Sequence, residues 1–236
     1  MPAHNEEGTA PMDYAQDKPR PIHVGRRVFL GAMAAGVVGL LVGGRNLPGL
    51  SLLASAFSVN GFQIYTTSGI PQLSAHNYSL KVDGLVDQPR TFSLADILAM
   101  PNSRQIHDYH CVTGWVVPKV AWTGVKMSDF LSLVNPKSEA KYVLLASADG
   151  SYTESLSMDQ ATLPDVMLGY KLNDKPLSAE QGYPLRLVIP DMYGFKYIKW
   201  VNQITLSDHV EPGYWEQRGY AVDAWLGPRG NYGYAT

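Results

Sequence analysis

Apolar positions are spread unevenly along the chain. Residues 1–25 are polar and rich in Pro and carboxylates (Glu6, Glu7, Asp13, Asp17), a composition that predicts a disordered lead-in. From Val28 to Gly44 the pattern inverts into an uncharged run of Ala, Val, Leu and Gly, directly after Arg26-Arg27. Beyond residue 56 the pattern is that of a folded domain. Leu80-Lys81-Val82 alternates with the period of a half-buried strand, Lys141 to Ser147 reads as a buried strand, and Leu185 to Ile189 as another that Pro190 ends. Two short helices are expected, one from Leu94 to Met100 with Ser93 as N-cap and Pro101 as stop, the other from about Lys126 to Val134, ending at Asn135-Pro136. Gly194 to Val201, read as extended, puts Tyr197, Lys199 and Val201 on one face and Lys196, Ile198 and Trp200 on the other. Strands mixed with short, irregularly placed helices predict an α+β domain over 57–236.

An arginine pair in front of an apolar run is the layout of a twin-arginine export signal. Glycines recur through the run, and each costs up to about 1 kcal/mol inside a helix, which argues against a core helix. The run is near the lower edge of the roughly 17 to 25 residues that span a bilayer. Residues 26–56 are therefore expected to act as a signal cleaved at Ala54-Ser55-Ala56 or as a membrane anchor. Either outcome places the domain in the periplasm or another extracytoplasmic space. This route carries proteins already folded, so it often serves enzymes that take up a cofactor before export.

Composition then removes whole classes of function. The chain of 236 residues is 45% hydrophobic and 17% charged, with a formal net charge of -2. It offers neither the excess of cations nor the basic stretch interleaved with aromatics that nucleic-acid binding needs. No G-x-G-x-x-G and no G-x-x-x-x-G-K-[ST] is present, so nucleotide-binding folds lose support. In so acidic a domain the grouping of Arg186, Lys196 and Lys199 is informative. An inward lysine beside Tyr197 needs an anion, and a phosphate-bearing ligand would serve; solvated charges on an edge strand are the alternative.

The single cysteine excludes more. Cys111 cannot form an internal disulfide, a Cys-x-x-Cys pair, an all-cysteine zinc site or a cysteine-ligated iron–sulfur cluster without a second thiol. Four readings of His107-Asp108-Tyr109-His110-Cys111 stay open: an inert buried thiol, a zinc site with His107 and His110, a nucleophile served by His107, His110 or His209, and a thiolate ligand to a metal carried by a cofactor.

The run Asp108-Tyr109-His110-Cys111-Val112-Thr113-Gly114-Trp115, the run Gln181-Gly182-Tyr183-Pro184-Leu185-Arg186-Leu187-Val188-Ile189-Pro190 and the stretch Tyr193 to Trp200 together resemble the molybdopterin-binding domain of the sulfite oxidase superfamily. Ile64 to Pro71 and Tyr214 to Tyr220 extend the likeness. It is similar above all to the small bacterial branch near the periplasmic methionine sulfoxide reductase catalytic subunit. The resemblance implies a sulfite-oxidase-type fold of mixed sheets and short helices, holding molybdenum and molybdopterin for two-electron oxygen-atom transfer. It implies Cys111 as the thiolate on molybdenum, beside the two dithiolene sulfurs of the pterin. Arg186 and Lys199 would bind the pterin phosphate or ring, with backbone contacts from Tyr197 and Ile198. Tyr65 and Thr66 match a pterin-contacting segment, Ser147 a contact at a strand end, and Gln181 a position where relatives carry His or Asn.

Two departures bear on the substrate. Sulfite-oxidising members follow the cysteine with an Asn-Arg-Arg-type run that helps bind the oxyanion, whereas this chain has Val112-Thr113-Gly114-Trp115-Val116. The sulfoxide reductase branch carries Glu where Thr113 stands. A sulfoxide or another small oxo compound is the expected substrate, with sulfite-like oxidation or a non-catalytic anion-binding module as alternatives. No C-x-x-C-H for c-type haem is present, so electrons are expected to pass to a separate partner, by resemblance a membrane haem protein or a cytochrome.

Overall fold

The computed structural model describes residues 58–227. The expectations for residues 1–25 and 26–56, including the export signal, lie outside the described residues.

The chain opens with a small antiparallel pair, β1 (Ser58–Val59) and β2 (Phe62–Gln63). After β3 (Ser79–Gly84) and β4 (Arg90–Ser93) comes helix α1 (Leu94–Leu98). Ser93 caps it through a reciprocal box with Asp96, as its position before an apolar-periodic stretch predicted. Next come the long strands β5 (Ser103–His110) and β6 (Val116–Lys126), then α2 (Met127–Ser132). The pair β7 (Tyr142–Ser147) and β8 (Thr153–Ser157) leads into α3 (Met158–Ala161), a four-residue helix that went unpredicted although Ser157 and Gln160 form a second capping box. β9 (Met167–Leu172), β10 (Lys175–Pro176), β11 (Arg186–Val188) and β12 (Val201–Ser207) complete the strands.

These strands form two five-stranded sheets. One runs β4-β3-β12-β7-β8, antiparallel except where β12 lies parallel to β3. The other runs β10-β9-β6-β5, with β11 also paired to β9. One hydrophobic core joins them: Leu80, Val82, Leu145 and Ile204 of the first sheet belong to the same buried cluster as Trp122, Val125, Leu168 and Leu187 of the second. Phe92 and Phe130 meet in it with ring centroids 4.9 Å apart. The α+β expectation holds.

One segment differs from its expectation. Gly194–Lys196 is a turn of 3-10 helix, and Trp200 adopts a left-handed φ of 54°, so an extended ladder begins only at Val201. The alternation of faces proposed for 194–201 therefore does not apply. Both lysines turn inward, and the fully buried one is Lys196, whose partners are the protein's own Glu154 and Glu216 carboxyls.

Removing the Phe130 ring leaves a cavity in this core that the two sheets cannot close. Phe130→Ala is expected to lower the unfolding free energy by about 3–5 kcal/mol, whereas truncating the exposed Ile106 changes it by less than about 0.5 kcal/mol. Urea unfolding of both variants measures the difference.

Candidate functional site

A cavity of about 410 Å³ opens where the loops at the ends of these strands converge. Six stretches build it: β2 and the chain after it, the end of β5 with its turn, the turn before β8 with Tyr152, the loop before β11 with Arg186, the turn of 194–200, and residues 214–220.

Cys111 enters from the end of β5. Its backbone N–H donates to Trp115 O at 2.9 Å and its carbonyl accepts from Gly114 N at 2.9 Å, so the chain doubles back and presents the thiol on the cavity wall. The thiol is half-buried and lies 3.2 Å from the Thr113 hydroxyl. Among the described residues no group of three or more His, Cys, Asp or Glu side chains is arranged to hold a metal ion, so the zinc site with His107 and His110 does not form.

Arg186, at the start of β11, is the main electrostatic feature. It is 4% exposed. Its Nη1 donates to Gln181 O at 2.9 Å and its Nη2 to Tyr197 O at 3.0 Å, while its guanidinium carbon lies 5.1 Å from the Trp122 ring centroid. Burial pulls its pKa down, yet an arginine stays charged. Among the described residues no carboxylate pairs with it, and its Nε has no acceptor. A second buried donor, Gln181 Nε2, is also unpartnered, while the amide oxygen accepts from Ser178 N at 3.1 Å. Buried charge without a counter-ion is costly. An anionic group in the cavity would remove that cost.

Lys199 adds a second cation. Its Nζ donates to Tyr65 O at 2.8 Å and Glu180 O at 3.1 Å, which ties the chain after β2 to the loop before β11. Burial first, and the Arg186 charge beside it second, bring its ammonium down to about 7. Tyr109 lies between the thiol and the cations. Burial pushes its phenol up to about 12 against the pull of Arg186, and its ring fills the space a side chain on Gly194 would need, so that position must lack one.

Of the residues singled out in the sequence, Tyr65, Thr66, Cys111, Gln181, Arg186, Tyr197, Ile198 and Lys199 all line this cavity. Ser147 is not among the lining residues. Its hydroxyl donates to Asp149 and accepts from Tyr152 N at 3.1 Å, and Asp149 in turn receives Ser68 Oγ at 2.8 Å. Ser147 thus holds the turn against which the 65–68 segment is fastened. The sequence did not single out the aromatic part of the wall: Tyr109, Tyr152, Phe195, Tyr214, Trp215 and Tyr220. The one available signal was the density of rings in 193–200 and 214–220.

The oxidoreductase molybdopterin binding domain matches residues 67–215. The chain is 36% identical over 171 residues to an uncharacterized oxidoreductase, YuiH, of Bacillus subtilis (strain 168), with 71% of this chain and 86% of that one covered. It is 32% identical over 161 residues to the protein-methionine-sulfoxide reductase catalytic subunit MsrP of Campylobacter jejuni, covering 61% of this chain and 53% of that protein. Among solved structures, the sulfane dehydrogenase SoxCD from Paracoccus pantotrophus is similar at a TM-score of 0.59 and 28% identity, covering 62% of this chain and 42% of that one. The chain spans about half the length of the MsrP relative. The donors on the wall suit the group that the matched family's description prints: a soft thiolate for molybdenum, and an unpaired buried guanidinium with a neighbouring lysine for a phosphate-bearing pterin.

The lowered pKa of Lys199 gives this anion site a pH signature. In the cofactor-free protein the amine is neutral above about pH 7, and a bound anion restores its proton. Calorimetric binding of inorganic sulfate, which does not titrate in this range, in buffers of different ionisation enthalpy is expected to take up nearly one proton at about pH 8 and almost none at about pH 6. Lys199→Gln is expected to abolish the uptake.

Proposed function

Because the chain belongs to the oxidoreductase molybdopterin binding domain family, we propose that its cavity carries out two-electron oxygen-atom transfer on a small oxo compound, foremost a sulfoxide, in an extracytoplasmic compartment. The protein is a molybdopterin-dependent oxidoreductase with a sulfite-oxidase-type fold. When bound, the molybdenum–molybdopterin group supplies a metal that gains or gives up an oxygen atom while changing by two electrons.

The observation that carries the reading is the meeting, in one cavity, of a lone thiol and a buried cation that has no counter-ion among the described residues. Cys111 supplies the protein's sulfur ligand. The Thr113 hydroxyl, 3.2 Å away, can donate to that sulfur and so tune its electron donation. Arg186 and Lys199 neutralise the phosphate, and Gln181 Nε2 offers a further donor to the pterin. Tyr65 and Thr66 are held over the cavity by Lys199 and by the Asp149 turn. Tyr197 O orients the Arg186 fork, and Ile198 closes the wall behind it.

The reductive direction and a sulfoxide substrate are supported by the MsrP relatives, whose names print protein-methionine-sulfoxide reductase. They are also supported by the uncharged Val112-Thr113-Gly114-Trp115-Val116, which offers no cation to a sulfite-like oxyanion. The likeness to a sulfane dehydrogenase supports oxidation as the second reading. The word "subunit" in the relatives' names supports a separate electron partner, a membrane haem protein or a cytochrome. Arg26-Arg27 and the apolar run after them support twin-arginine export. No helix among the described residues is long and apolar enough to cross a membrane.

Protein matured in a host that makes molybdopterin is expected to contain stoichiometric molybdenum by elemental analysis and to reduce methyl sulfoxides with a dithionite-reduced viologen dye. Cys111→Ser is expected to lose that activity by at least about a hundredfold while keeping bound pterin, because the phosphate grip of Arg186 and Lys199 is intact. Molybdenum-free wild-type protein would sink the proposal, and faster turnover of sulfite than of sulfoxide would favour the oxidative reading.

A further inference from the structure

The largest buried charge cluster lies behind the cavity wall and plays no part in the reading above. Lys196 is among the largest fully buried side chains of the protein. Its Nζ donates to Glu154, to Ser155 O at 2.9 Å and to Glu216 Oε1 at 2.9 Å, which uses all three ammonium protons. One cation faces two carboxyls. Burial, opposed by the Lys196 charge beside it, drives the Glu154 carboxyl well above its ordinary value, which disfavours a second buried negative charge next to Glu216.

Such a cluster is a poor source of stability. Apolar residues of similar volume often serve as well or better, and the usual benefit of retaining one is conformational specificity. Its three members come from β8, from the 3-10 turn at 194–196, and from a second 3-10 turn, Glu216–Arg218. Each is next to a ring on the cavity wall. Tyr152 lies two residues before Glu154, Phe195 directly before Lys196, and Trp215 directly before Glu216. Those rings form one contiguous set. Tyr152 stacks on Tyr214 at 5.3 Å, Trp215 meets Tyr214 at 5.3 Å and Tyr220 at 5.1 Å, and Tyr220 meets Phe195 at 5.3 Å. The Tyr152 hydroxyl donates to Phe195 O at 2.6 Å. Residues 213–216 are packed so closely on the cluster that a Cβ on Gly213 would lie 2.6 Å from Glu216 Oε2 and 2.7 Å from Thr153 O.

We propose that the Lys196–Glu154–Glu216 cluster is a positioning device for this aromatic wall, and that the wall is the subsite for the apolar flank of the substrate. The second half rests on the sulfoxide reading above. Five rings facing one space favour a substrate whose sulfur carries an aryl or extended apolar arm, since such an arm gains from ring packing and sulfur–aromatic contact and a dimethyl compound has none. The cluster acts through Trp215 and its neighbours. It touches no reacting atom.

The test reads binding separately from turnover. Methyl p-tolyl sulfoxide is titrated into the molybdenum-loaded enzyme while tryptophan fluorescence is followed, and loss of the signal in Trp215→Phe assigns it to the wall. Glu216→Gln is expected to weaken this binding about tenfold, roughly 1.4 kcal/mol, with molybdenum content and the KM for dimethyl sulfoxide unchanged. Glu154→Gln, at the carboxyl that burial biases toward its neutral form, is expected to stay within about twofold of wild type. Gly213→Ala displaces the same segment with every charge retained, and is expected to weaken the aryl probe as Glu216→Gln does. It decides the matter should Glu216→Gln fail to fold. Equal weakening in the two glutamine variants, unchanged binding in Glu216→Gln and Gly213→Ala, or a signal that survives in Trp215→Phe would each overturn the proposal. Absence of molybdenum from wild type would instead overturn the oxidoreductase reading, and the fluorescence titration would still judge the wall.

Discussion

The guanidinium of Arg186 is buried between Trp122 and Tyr197 with two of its donors fixed on backbone carbonyls and, among the described residues, no carboxylate to neutralise it. Those two carbonyls belong to different stretches, the loop before β11 and the turn after the 3-10 helix, so one side chain sets the distance between two walls of the cavity. The packing that isolates it from water raises the cost of its unpaired charge, and the same isolation strengthens its attraction for an anion. The site is therefore organised before anything enters it. Lys199 repeats the logic one layer out, joining Tyr65 O to Glu180 O while burial and the Arg186 charge bring its pKa down to about 7.

Two lysines three residues apart divide structural from functional charge. Lys196 finds its anions within the protein, with every ammonium proton placed. Lys199 finds only neutral carbonyls and keeps its charge available to a ligand. The 3-10 turn at 194–196 and the left-handed Trp200 send the two in different directions. In a regular strand they would lie on opposite faces, and one of them would be in solvent.

Much of the fold was legible because short-range rules govern it. The Ser93 capping box, the alternation around Leu80 and Val82, and the apolar run ended by Pro190 each depend on neighbours within a few residues, and each appears where expected. Helix α3 has the same capping signal at Ser157 and was missed because four residues carry too little periodicity to register. Strand β5, which carries Cys111 into place, is polar and mostly half-exposed, so its identity depends on pairing with β6 across the sheet rather than on composition.

The sequence by itself determined the chemistry available: one thiol, few cations in an acidic chain, and motifs that resemble a molybdopterin-binding domain. These are properties of residue type and order, and they survive any folding. Only the tertiary structure decided which groups meet. It made Lys196 a partner for Glu154 and Glu216 where the alternation of residues had put it on the face opposite Tyr197 and Lys199, it placed Ser147 in a turn that fastens the 65–68 segment, and it drew Tyr152, Phe195 and Trp215 from three separate stretches into one wall. The reason is that burial is a collective property. Whether a lysine needs an external anion depends on which carboxylates the fold brings within 3 Å of it, and that depends on contacts between residues far apart in the chain.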